Sequence, residues 1–155
     1  MHKRILVTLD GSDLAEQAVP TALTQARQFE AELFLLRVVK PLPRSYRAGV
    51  ASVATIDAAE REAVQEAAGY LDGLASGLRD QGFPVQVAAR FGNPAKVIVD
   101  FLQPNEVDLL VMCTRGQTGP ARWLLGSVVD HVVRGSSVPV VVVPARMEGT
   151  QAVAG

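Results

Sequence analysis

Residues 107–127 read VDLLVMCTRGQTGPARWLLGS, and the order of signals within them decides the fold. Val107 to Met112 is a short apolar run rich in branched residues, bounded by turn signals, and it predicts a buried strand. A glycine-punctuated loop follows from Cys113 to Gly126. Ser127 then opens a helical pattern that runs to about Arg134 and stops at Gly135. Gly116 and Gly119 let the backbone turn sharply and approach a ligand with no Cβ in the way. Gly126-Ser127 stands at the helix mouth, where free N–H groups and the positive end of the helix dipole favour an anion such as phosphate. A plainer reading is equally open: Ser127 with Asp130 three positions on forms a capping pair, and the glycines simply make turns.

The same alternation extends in both directions. Downstream, Val138 to Val143 is a fifth strand bounded by Pro139 and Pro144, far short of the roughly 20 residues of a membrane helix. Upstream, Lys3 to Leu9 (KRILVTL) is a strand that ends at the turn Asp10-Gly11-Ser12. A helical ladder of Leu14, Ala15, Ala18, Ala22, Ala26 and Phe29 follows, with Pro20 expected to kink it. Glu32 to Val39 (ELFLLRVV) is the second strand. Lys40 to about Thr55 carries no period and reads as a mobile loop. A long helix is expected from about Asp57 to Gln81, with Val64, Ala68, Leu71, Leu74, Ala75 and Leu78 inward and Gly82 as its stop. Gly69, Gly73 and Gly77 form a bare stripe along it, which fits either a close neighbour or tolerated surface positions. Pro84 to Arg90 is the third strand, and Asn93-Pro94 opens a short helix to Leu102.

Strands nearly continuous in Val, Ile and Leu, alternating with helices, predict a Rossmann-like α/β fold: an open five-stranded parallel sheet with helices on both faces. The chain has 155 residues, 48% of them hydrophobic, enough for one domain and too few for two. That domain is expected to span 1–146, followed by a flexible tail over 147–155. Lys and Arg total 15 against 16 Asp and Glu, so no net field recruits nucleic acid or an anionic membrane. The amino terminus enters a strand pattern without a signal-peptide run, and the single cysteine forms no internal disulfide, which together predict a cytoplasmic protein. His2 and His131 lack companions at metal-ligand spacing.

The loop also resembles the signature of the universal stress protein family, whose nucleotide-binding branch reads G-x-x-G-x(9)-G-S/T after the fourth strand. Gly116, nine intervening residues, Gly126 and Ser127 match, and Cys113 stands where the first glycine belongs. The likeness runs through KRILVTLDGS, LLRVV, FGNPAKVIVDF and GSVVDHVVRGSSVPVVVVP, nearly the whole chain. It implies a protein of stress response or signalling that binds adenine nucleotide, ATP or AMP, ATP with Mg²⁺. By that resemblance Asp10 lies by the ribose and phosphates and takes the metal, with Thr8 and Leu9 lining the pocket. Val38 touches adenine through its backbone. Met112, Cys113, Arg115, Gly116, Gly126, Ser127, Val128 and Val129 wrap the ribose and phosphates. The resemblance also implies a homodimer through the edge strand at Val140, Val141 and Val142.

Catalytic readings find less support. GxxxxGK[ST] is absent because Gly126-Ser127 carries no lysine, and GxGxxG does not follow the first strand. Asp13 and Glu16 fit the opening of a helix better than a metal cluster with Asp10. No enzyme activity is expected beyond slow ATP hydrolysis. A scaffold dimer without nucleotide is the alternative that Cys113 suggests, since its thiol adds bulk beside the ligand. Burial makes that thiol inert, whereas oriented N–H groups would make it a low-pKa redox group.

Overall fold

A computed structural model describes residues 3–49, 52–114 and 126–146. The expected tail, the loop positions Arg115, Gly116 and Gly119, and His2 lie outside the described residues. Eleven elements follow one another: β1 (Arg4–Leu9), α1 (Asp13–Glu16), α2 (Ala18–Phe29), β2 (Glu32–Val39), α3 (Arg44–Ala48), α4 (Val53–Asp80), β3 (Val85–Phe91), α5 (Pro94–Leu102), β4 (Leu109–Thr114), α6 (Ser127–Gly135) and β5 (Val140–Pro144). The strands make one parallel sheet in the order β3-β2-β1-β4-β5. Strand order therefore reverses between β1 and β4, where a crevice opens beyond the carboxyl ends of the strands.

Strand periodicity divides the core into two layers. Ile5, Val7, Leu9, Leu33 and Leu35 face one side, under Ala18, Ala22 and Ala26 of α2 and Leu71, Ala75 and Leu78 of α4. Leu6, Leu36, Leu110 and Met112 face the other, under Ile98, Phe101 and Leu102 of α5 and Val129 and Val132 of α6. Small alanines bring α2 close to the sheet, while Phe34 and Phe101 meet edge to face at 5.0 Å on the opposite side.

Several helix boundaries differ from expectation for identifiable reasons. The first helical ladder is two helices, broken at Gln17, whose N–H bonds to Leu14 O at 3.1 Å. Pro20 sits in the first turn of α2, where its missing N–H costs nothing, and its ring would clash with the carbonyl of Glu16 if the helix ran on unbroken. The break replaces the expected kink. Gln17 instead bridges to the chain beyond β5: its Nε2 donates to Arg146 O at 2.8 Å and its Oε1 accepts from Arg146 N at 2.7 Å. Phe29, expected on the inward face, ends α2 about half exposed.

The segment expected as a loop contains α3, a five-residue turn tied to α4 by Arg47 and Glu60 at 2.7 Å. A single turn has no repeat for periodicity to detect. For the same reason the first turn of α4, which begins at Val53 rather than Asp57, escaped notice. Gly69, Gly73 and Gly77 are exposed, and a Cβ at any of them would meet no described atom within 4 Å. No neighbour within the chain explains the stripe. Strands three to five each begin one or two residues later than expected and run one or two residues further. Among the described residues no helix is long and apolar enough to cross a membrane.

Candidate functional site

β1 hands the chain to Asp10-Gly11-Ser12. Gly11 lies at φ +86°, a conformation that side chains rarely adopt, and a Cβ there would come within 2.8 Å of Arg37 Cζ. Arg37 projects from the end of β2 over the ring of Tyr70 on α4, at 5.2 Å. Asp10 is held just as firmly. Its Oδ1 accepts from Ser12 N–H at 2.8 Å and from Ser12 Oγ at 2.5 Å, and Ser12 Oγ accepts from Ala15 N–H at 3.1 Å to cap α1. The second carboxylate oxygen makes no hydrogen bond among the described residues and is the atom available to a ligand.

Across the crevice, α6 begins at Ser127 with Gly126 as its N-cap at φ −60°, ψ 157°. The capping reading of Ser127 and Asp130 is therefore corrected. Ser127 already lies inside the helix, where its hydroxyl cannot reach back over the first turn, and Asp130 pairs with Arg134 at 3.1 Å instead. Glycine brings no side chain to the cap, so the first-turn N–H groups of Ser127, Val128 and Val129 have no side-chain cap partner. They retain the positive end of the helix dipole. The opposite arrangement opens α5, where Asn93 Oδ1 accepts from Lys96 N–H at 3.1 Å and Pro94 fills the first turn.

Between these elements lies a cleft of about 380 Å³, within the usual range for small-ligand sites. It brings together Thr8, Leu9 and Asp10 of the β1 end, Val38 of β2, Met112 and Cys113 of β4, and Gly126, Ser127, Val128 and Val129 of α6. Arg115 and Gly116 fall outside the described residues. Sequence reasoning missed Ala15, Leu36, Lys40, Pro94 and Ile98, which line the same cleft. Leu36 could have been found, because period-2 alternation puts it on the same face as Val38. Pro94 and Ile98 stand four apart on α5 and share a face by helical period. Lys40 is simply the first residue beyond β2.

Asp10 is the only carboxylate lining the cleft, and among the described residues no three His, Cys, Asp or Glu side chains gather as metal ligands. Burial pushes the Cys113 thiol up to about 11, the Asp10 charge adds to this, and a backbone hydrogen bond at Ala18 pulls weakly the other way. A thiol so placed stays protonated at neutral pH. Tyr70 Oη is buried with no partner inside hydrogen-bond range. Burial and then the Glu16 carboxylate push it up to about 12.

A family model described as "Universal stress protein family" matches residues 1–144. The chain belongs to the universal stress protein family. Universal stress protein MJ0531 of Methanocaldococcus jannaschii is 34% identical over 143 residues, covering 92% of this chain and 82% of that protein. The solved structure of MJ0577 from the same organism superposes with a TM-score of 0.71 at 27% identity, covering 96% of this chain and 99% of that one. A universal stress protein crystallised in complex with cAMP shares the fold with a TM-score of 0.60 at 24% identity, covering 94% and 98%. Members of this family thus share the five-stranded parallel sheet and the crevice at its reversal point.

Proposed function

We propose that this universal stress protein binds an adenine nucleotide in the cleft between β1, β4 and α6, ATP with Mg²⁺ being the expected form. The observation that carries the reading is the convergence on one cleft of three chemically different walls. Leu36, Val38, Ile98 and Met112 offer an apolar slot suited to a purine face. Asp10, oriented by Ser12, offers a carboxylate oxygen to ribose hydroxyls or to one coordination position of a cation. The N–H groups of Ser127, Val128 and Val129 offer donors and dipole to phosphate. The cAMP-bound relative has the same fold, which supports the cleft as a place where such a ligand can sit.

The resident Mg²⁺ would neutralise phosphate charge. This chain supplies it with Asp10 alone, so phosphate and water oxygens would complete its shell. No second carboxylate or histidine lines the cleft to orient a water, and the proposed role is binding rather than turnover. Occupancy would alter the surface around the α6 mouth that partners read, in stress response or signalling. The scaffold alternative rested on the bulk of Cys113. That thiol lines the cleft without filling it, so the nucleotide reading stands ahead.

β5 is an edge strand of half-buried valines, Val140 to Val143, with only β4 beside it. Such an edge favours antiparallel pairing with a second copy, centred on Val140, Val141 and Val142. Light scattering coupled to size exclusion should show a dimer that Val141→Pro dissociates. For the nucleotide itself, mass spectrometry of the natively purified protein is the test. Recovery of a stoichiometric adenine nucleotide is expected. If none is recovered and ATP also produces no heat on titration, the reading is wrong.

A further inference from the structure

A second cleft, of about 460 Å³, adjoins the first and shares Lys40, Pro94, Ser127 and Val128 with it. Its character differs. No carboxylate lines it, Lys40 is its one permanently charged side chain, and the remaining polar groups are Asn93, Ser127 and His131. Lys40 forms no ion pair among the described residues, so its ammonium is not already neutralised by a neighbour. Asn93 commits its Oδ1 to Lys96 N–H, which leaves its amide N–H groups to face outward, and the Nδ1–H of His131 is committed to Ser127 O at 3.0 Å. The lining is thus rich in donors and poor in acceptors, the composition that suits an anion.

The connection between the clefts gives the anion a direction. Ser127 and Val128 line both, so a phosphate chain that starts against the α6 N–H groups in the first cleft leaves it past these residues and enters the second beside Lys40. A monophosphate ends at the α6 mouth, and only a longer phosphate chain reaches the lysine.

We propose that the second cleft is a terminal-phosphate subsite, and that Lys40 makes the protein selective for nucleoside triphosphates over monophosphates. This inference rests on the proposed nucleotide site and goes beyond it by naming the ligand class and the side chain that selects it. Lys40 is a specificity residue, exposed at its tip, and Lys40→Gln keeps the length of the side chain while removing its charge.

Calorimetric titration of ATP and AMP, in excess Mg²⁺, into wild type and Lys40→Gln tests the inference. The wild type should bind ATP about tenfold more tightly than AMP, and the variant should lose about tenfold for ATP and stay within about twofold for AMP. Inorganic tripolyphosphate should compete with ATP in the wild type and less well in the variant. Equal wild-type affinities for ATP and AMP, or equal losses for both in the variant, would overturn the Lys40 assignment and leave the nucleotide site standing. Binding of neither nucleotide would overturn the proposed function, and the subsite with it.

Discussion

Two glycines border the same cleft and are there for opposite reasons. Gly11, at the end of β1, is demanded by the chain itself: its φ is +86°, and the Arg37 guanidinium occupies the space a Cβ would need. Its neighbours are equally committed, Asp10 to Ser12 and Arg37 to the Tyr70 ring. Gly126, at the mouth of α6, has an ordinary φ of −60° and no described atom within 4 Å of an added Cβ. Nothing described in the chain requires glycine there. One border of the cleft is finished by internal packing, and the other is left open with uncapped N–H groups. A glycine without an internal reason, beside unsatisfied donors, is where an external ligand belongs.

Substitution at the two positions should therefore separate binding from stability. The largest effect is expected for Gly126→Val. Its branched side chain can be accommodated by the fold but stands in the path of a ligand approaching the α6 N–H groups, so ATP affinity should fall at least about 100-fold. Its melting temperature should stay within about 2 °C of wild type, read by calorimetry on the same sample. Gly11→Ala should do the reverse. A left-handed conformation forced on alanine, pressed against Arg37, should cost about 1–3 kcal/mol in denaturant unfolding, with ATP affinity kept in the folded fraction.

A smaller effect concerns Cys113, which sits on the open side of the cleft but is tuned by its interior. Its folded pKa of about 11 lies above the ordinary 9.0, so the protonated thiol is favoured by the fold. Its contribution to stability is intact below pH 9 and is lost as pH rises through about 11. Alkylation at pH 8 should run at least about tenfold slower than in the urea-unfolded chain and slow further when ATP is bound. Fast alkylation of the folded protein would mean that the thiol is exposed to oriented donors after all. The smallest change is expected for Tyr70→Phe on the finished side. Because Tyr70 Oη is buried without a partner, removing it should leave stability unchanged or raise it by up to about 1 kcal/mol.

The same contrast explains what could be read in advance. Strand runs such as KRILVTL and ELFLLRVV carry their period in adjacent residues, and the five-stranded parallel sheet followed from them. Asn93-Pro94 announced α5 because capping chemistry is local. The Gly11–Arg37–Tyr70 stack was invisible, since it joins residues from β1, β2 and α4 that only the fold brings together. Leu36 and Lys40 were missed as cleft walls although both flank Val38 within two residues. The α3 turn and the break at Gln17 are single-turn features, decided by Pro43, Pro20 and tertiary contact rather than by a repeating pattern. On the ligand side, the motif Gly126-Ser127 was legible, but whether Ser127 caps or extends α6 was decided by one residue of register.

The central claim is that the open border of this cleft receives the nucleotide, and amide chemical-shift mapping during a titration with ATP and Mg²⁺ tests it residue by residue. The account predicts the largest shifts at Asp10, Val38, Gly126, Ser127 and Val128, with the exposed stripe of Gly69, Gly73 and Gly77 unmoved. Shifts confined to α4, or spread evenly with no maximum at the α6 mouth, would contradict it.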